Sequence, residues 1–142
     1  MRVKKLYEDS RIPWKGSDFA AGFDLFAHVD EPLTIHPHET VTISTGLAME
    51  IPEGYFGGIY ARSGLASKSG LRPANCTGIV DADYRGEVFV ALHNDSDEYR
   101  TIASGDRIAQ LIIHKFFETS MEVASELSET VRDTGGFGST GK

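Results

Sequence analysis

Five short stretches of this sequence set glycine beside residues that bind anions or move protons. They are AAGFDLFA (residues 20–27), ARSGLASKSG (61–70), NCTGIVDADYRGEV (75–88), GDRIAQLII (105–113) and the terminal RDTGGFGSTGK (132–142). The third is the most pointed. Asp81 follows the apolar pair Ile79 and Val80, Tyr84 offers a flat aromatic face, and Gly78 and Gly86 read as the two ends of a hairpin. A carboxylate beside an aromatic platform and exposed backbone suits binding a nucleobase edge and activating a water. Asp83 reads as structural. Taken singly, the other stretches have plainer readings. Asp24 fits a turn carboxylate, Arg62-Ser63-Gly64 the start of a helical turn continued by Ser67 and Lys68, and Gly105-Asp106-Arg107 a hairpin turn.

The tail poses a separate question. From Gly136 it matches all but the last position of the phosphate-cradling pattern G-x-x-x-x-G-K-[ST]. That loop works because a helix follows it and a buried strand precedes it. Nothing follows Lys142 in this sequence, and the preceding SELSETVRD is polar, so the pattern is rejected. Gly135, Gly136, Gly138 and Gly141 still permit close backbone approach, while Ser139, Thr140 and Arg132 supply donors. The segment reads as a flap that closes over an anion.

The elements that must position these groups are strands. Apolar residues alternate at period two: Val41 and Ile43, then Leu47, Met49 and Ile51, then Val88, Val90 and Leu92. RIAQLIIHKFF reads as a longer, mostly buried strand. Pro37, Pro52-Glu53-Gly54, 94–97 and Gly105-Asp106 punctuate the runs. Many short strands with such turns predict an all-β sandwich or barrel. SMEVASELSETV has helical propensity, but Met121, Val123 and Leu127 fit a helical stripe poorly, so an extended arm is the alternative.

The 142 residues suit one domain, and 40% hydrophobic with 25% charged content is ordinary for a globule. No apolar run reaches membrane-spanning length, and MRVKKLYEDSR lacks the apolar centre of a secretion signal. A cytoplasmic location is expected, or a nuclear one in a eukaryote. A net charge of −7 with one short basic cluster, Arg2, Lys4 and Lys5, argues against direct nucleic-acid binding. An anionic ligand would need selected arginines and a divalent cation to overcome that field. Cys76, the only cysteine, is expected to pack. His36-Pro37-His38 reads as a solvated turn, not a metal site.

Together and in this order, the five stretches resemble the five motifs of the trimeric deoxyuridine triphosphate diphosphatases, the dUTPases. The most specific parts are AAGFDL, RSGLA, GIVDADYRG, GDRIAQL and GGFGSTG, and the likeness runs from about Lys5 to the end. It implies a jelly-roll-like β-barrel, a homotrimer with swapped C-terminal arms, and active sites built from three subunits. Residues 1–131 would form the barrel domain and 132–142 a lid over a neighbouring subunit's site. It further implies hydrolysis of dUTP to dUMP and pyrophosphate by water attack at the α-phosphorus, with Mg²⁺ as cofactor.

The roles implied by the resemblance are these. Asp81 activates the water. Asn75 and backbone near Gly78 read the uracil edge, and Tyr84 packs on the deoxyribose. Arg62, Ser63 and Gly64 meet the phosphate chain, with Gln110 nearby, and Asp24 holds magnesium through water. From the arm, Phe137 stacks on uracil, beside Gly138, while Arg132, Ser139 and Thr140 meet the γ-phosphate. Arg85 and Arg107 are expected in structural ion pairs. Two positions depart from the family pattern: Ala61 stands where Pro is frequent, and SKSG where a His is often seen. The nearest rival is dCTP deaminase, which needs a catalytic Glu where Asp81 stands. A binding protein that uses nucleotide as a switch is a third class.

Overall fold

The computed structural model describes residues 1–136. Among them run β1 (Arg2–Lys5), β2 (Phe23–Phe26), β3 (Leu33–Ile35), β4 (Thr40–Glu50), β5 (Tyr55–Tyr60), α1 (Ser63–Ser69), β6 (Leu71–Pro73), β7 (Thr77–Val80), β8 (Glu87–Asn94), β9 (Arg100–Ile102) and β10 (Arg107–Lys115). Two four-stranded sheets, ordered β1-β4-β8-β6 and β2-β10-β5-β7, are joined by a small β3-β9 pair, and the pairings are antiparallel. The chain crosses from one sheet to the other repeatedly, from β1 to β2 and at each step from β4 through β8. The result is a jelly-roll-like all-β fold whose sheets face each other without closing into a barrel.

Period-two patterning puts the apolar faces inward. In β8 Val88, Val90 and Leu92 are buried while Phe89 between them is exposed. Leu47, Met49 and Ile51 are likewise buried, and they meet Leu25, Ile59 and Leu111 of the opposite sheet in one core. β10 is less buried than its composition suggests. Ile108, Ala109 and Leu111 are enclosed, whereas Phe116 and Phe117 beyond the strand face solvent.

Three further expectations meet a different outcome. GIVDADYRG is not a hairpin, because β7 pairs with β5 and β8 lies between β4 and β6. Each strand's hydrogen bonds are taken within its own sheet, so residues 81–86 form a corner between sheets. Cys76 does not pack: it is exposed, at φ 60° in the turn before β7. The turn forces a left-handed conformation there and points the residue outward. SMEVASELSETV forms no helix; Met121, Val123 and Leu127 are exposed on a stretch outside any strand. Its apolar residues do not share a helical face, and no core lies beneath them. Among the described residues no helix is long and apolar enough to cross a membrane.

Candidate active site

Three adjacent strands build an anion cleft. Asp24 on β2 pairs with Gln110 on β10, and Gln110 pairs on its other side with Tyr60 at the end of β5. The chain leaving β5 then delivers Arg62, Ser63 and Gly64 to the same place. Asp24 is further anchored by its own N–H, which donates to the Trp14 carbonyl at 2.8 Å. Gln110 Nε2 donates to the Ala61 carbonyl at 2.8 Å, tying the strand to the start of α1. The cleft encloses about 460 Å³. Its charged lining is Asp24, Arg62, Lys68 and Arg107. A Cβ at Gly64 would meet nothing within 4 Å, so the backbone there opens onto free space.

The carboxylate of Asp24 is held at both oxygens. Arg62 Nε donates to Oδ1 at 2.7 Å and Arg107 Nη1 to Oδ2 at 3.2 Å. Arg107 reaches it through a bulge. Arg107 and Gln110 are three positions apart, which in a regular strand would put them on opposite faces. The register shift between Arg107 and Ala109 absorbs the odd residue, so Arg107 lies opposite Phe26, on the same face as Asp24 two residues before it. Arg107 is thus in the ion pair expected of it. Arg85 is not: its Nη1 donates to the carbonyls of Ala82 and Tyr84, at 2.6 and 2.9 Å. The carbonyls of the turn it follows lie within reach of its guanidinium.

The second group of candidates gathers at the corner between the sheets. Asn75, Gly78, Asp81 and Tyr84 line a pocket of about 250 Å³, floored by Ile59 and Val88. Close approach needs glycine twice here. A Cβ on Gly78 would press on Ile59 Cβ at 3.3 Å and touch Asn75 Nδ2 at 3.4 Å. A Cβ on Gly86 would lie 2.5 Å from the Tyr84 hydroxyl, so the tyrosine folds back only because residue 86 has no side chain. Tyr84 Oη donates to the Glu87 carbonyl at 2.8 Å, which fixes the ring. The turn is closed by Tyr84 N–H donating to the Asp81 carbonyl at 3.2 Å, and the Asp81 side chain is left exposed at the mouth. A larger hollow, about 540 Å³, lies behind this corner near Met1, Glu50 and Asp83 and contains none of the expected site residues.

The two clefts share no lining residue. Arg132 lines neither; its Nε donates to Gly135 O, well beyond the end of β10 at Lys115. Phe137, Gly138, Ser139 and Thr140 lie outside the described residues. His38 pairs with the exposed Asp97 at 3.0 Å, and among the described residues no group of three His, Cys, Asp or Glu is placed to hold a metal. Lys68, expected only to continue the helical turn, is a charged residue of the cleft. The signal was available in its spacing: it follows Gly64 by four residues, one helical turn, and so shares its face.

A family model for dUTPase matches residues 8–141. The chain belongs to the dUTPase family. It is 49% identical to a deoxyuridine 5'-triphosphate nucleotidohydrolase of Hydrogenobaculum sp., over 98% of this chain and 96% of that one. A counterpart from Desulfitobacterium hafniense is 48% identical, over 92% and 87%. Among solved structures, a Staphylococcus bacteriophage 80alpha dUTPase with dUPNHPP superposes with a TM-score of 0.89 at 31% identity, covering 99% of this chain and 98% of that one. A mutant dUTPase from phage phi11 of S. aureus, described for its coordination of a structural Mg(II) ion, gives a TM-score of 0.81 at 27% identity, covering 90% and 98%.

Proposed function

We propose that this dUTPase hydrolyses dUTP to dUMP and pyrophosphate, limiting uracil incorporation into DNA and supplying dUMP for thymidylate synthesis, in the cytoplasm. The observation that carries the site assignment is the division into two incomplete clefts. One offers cations and a carboxylate without a surface to stack a nucleoside. The other offers Asn75, Tyr84 and Asp81 without a cation to hold phosphate. A homotrimer that apposes the anion cleft of one subunit to the corner pocket of the next completes both, and residues 132–142 of the third close them as a lid.

In this arrangement Asn75 and backbone near Gly78 pair with the uracil edge. A cytosine there would leave buried donors facing donors, a costly mismatch. Tyr84, fixed by its bond to Glu87 O, packs on the deoxyribose and leaves no room for a 2′-hydroxyl. Arg62, Ser63 and Gly64 grip the phosphate chain, with Gln110 beside them. Asp81 orients a water in line with the α-phosphorus and takes its proton as the new P–O bond forms and pyrophosphate leaves. Arg132, Phe137, Gly138, Ser139 and Thr140 act from the lid.

The residues present fit magnesium of one kind. Asp24 is the single carboxylate of the anion cleft and both its oxygens are engaged by arginine, so the cleft has no cage of its own. That suits an ion held by phosphate oxygens and waters, with Asp24 accepting from the waters. Such an ion would neutralise charge on the triphosphate.

The test is Asp81→Asn. The side chain keeps its size and loses its basicity, so trimer and dUTP affinity persist while turnover falls by about 10² to 10⁴. Near-normal pyrophosphate release from a correctly assembled variant would sink the assignment.

A further inference from the structure

We propose that Lys68 is a second phosphate-binding cation of the anion cleft, beside Arg62, meeting the β- and γ-phosphates of the nucleotide. The proposal rests on the dUTPase reading and adds a residue to it. The cleft holds three cations and one carboxylate in a chain whose net charge is −7, so the positive charge is concentrated there. Two of those cations, Arg62 and Arg107, are occupied with Asp24. Lys68 is exposed and, among the described residues, within 4 Å of no carboxylate.

Its place on α1 gives it a reach the other two lack. The helix runs Ser63–Ser69, and Lys68 stands one turn, about 6 Å along the axis, beyond Gly64 on the same face. On the reading that Arg62, Ser63 and Gly64 grip the phosphate chain from the start of α1, Lys68, one turn on, meets it farther along. A flexible stem with a compact charge suits a terminal phosphate, which has no single fixed geometry to match.

A helix-capping role does not account for it. Near the end of α1 the Leu65 and Ala66 carbonyls accept from Gly70 N–H, and the Ser69 carbonyl accepts from Arg100 Nε at 2.8 Å. The helix end is thus secured without the lysine.

The experiment measures affinity by calorimetry, with magnesium, for dUMP and for a dUTP analogue with an imido bridge between the α- and β-phosphorus. The full-length protein is compared with Lys68→Gln, Lys68→Arg and Lys4→Gln, the last removing one charge from β1 at the edge of the other sheet. The expected result is a loss of about tenfold for the analogue in Lys68→Gln, no change for dUMP, and near-full recovery in Lys68→Arg. Equal losses for analogue and dUMP would mean that Lys68 only supports the helix. The same loss in Lys4→Gln would mean a general field effect, and unchanged analogue binding would mean no contact; each overturns the proposal. If the unaltered protein hydrolyses no dUTP, the functional reading fails instead, and that control separates the two failures.

Discussion

Arg62 is locked to Asp24: its Nε donates to Oδ1 across 2.7 Å, and both side chains are largely shielded from water. Any nucleotide that takes Arg62 for its phosphates must loosen this pair. Arg107, at 3.2 Å from Oδ2, is the group left to keep the carboxylate aligned. Arg107→Ala should therefore raise the magnesium concentration needed for half-maximal activity by about tenfold, the scale on which groups orienting a metal site act. Arg107→Lys should recover part of it. Turnover at saturating magnesium should change less. If activity falls without any change in the magnesium dependence, Arg107 serves only the fold.

Asn94 ties the end of β8 to two neighbouring segments. It is fully buried; its amide donates to the carbonyls of Ile35, His36 and Glu98 at 3.2, 3.1 and 2.7 Å, and its Oδ1 accepts from Ser96 N–H and Oγ at 3.0 and 2.7 Å. Asn94→Ala should cost about 3 kcal/mol, because several buried groups lose their partners at once. Asn94→Asp should cost no less at neutral pH, since a carboxylate has no N–H to give. Urea unfolding of the three proteins checks both, and a loss below about 1 kcal/mol for Asn94→Ala would contradict it.

How much of this was legible in the residues differs by element. Strand faces such as Val88, Val90 and Leu92 were readable because period-two alternation is a local signal. The pairing of β7 with β5 was not, because Val80 and Val88 are both apolar and a corner looks like a hairpin until the sheets are assembled. Asp24, Arg62 and Gln110 were named through the motif resemblance, but the bulge that turns Arg107 toward Asp24 leaves no mark in GDRIAQ. Asn94 looked like one more polar turn residue, since burial of a polar side chain depends on which distant carbonyls converge on it.

The exposed pair Arg72–Asp95 gives a pH dependence. The Arg72 guanidinium donates to both oxygens of Asp95, at 2.6 and 2.9 Å. That hydrogen bonding, reinforced by the nearby charges of Arg72, His93 and His38, holds the Asp95 carboxyl below its ordinary 3.8 against a smaller opposing effect of burial. A carboxyl depressed in the folded state stabilises it above the ordinary value, and that contribution is lost as pH falls through the depressed value. Asp95→Asn should thus melt at a lower temperature than the unaltered protein at pH 7, and the gap should close below about pH 4. Thermal melts across pH 2 to 7 read it; a gap that stayed constant would show that the pair is not its source.

Residues 117–134 are exposed and lie outside any strand or helix, and among the described residues Arg132 bonds only within its own turn, so this part of the arm adds little to the core of its own chain. Deleting 132–142 should leave a folded trimer with most activity gone. The loss should be repairable in trans. Reassembling the deletion variant with full-length Asp81→Asn creates some sites that take Asp81 from one subunit and an intact arm from another. Neither parent has such a site, so pyrophosphate release from dUTP should return only in the mixture. A site that drew its arm from its own Asp81-bearing chain would stay dead in every combination. Verified heterotrimers as inactive as their parents would therefore show that the arm is not exchanged between the subunits that supply these two parts.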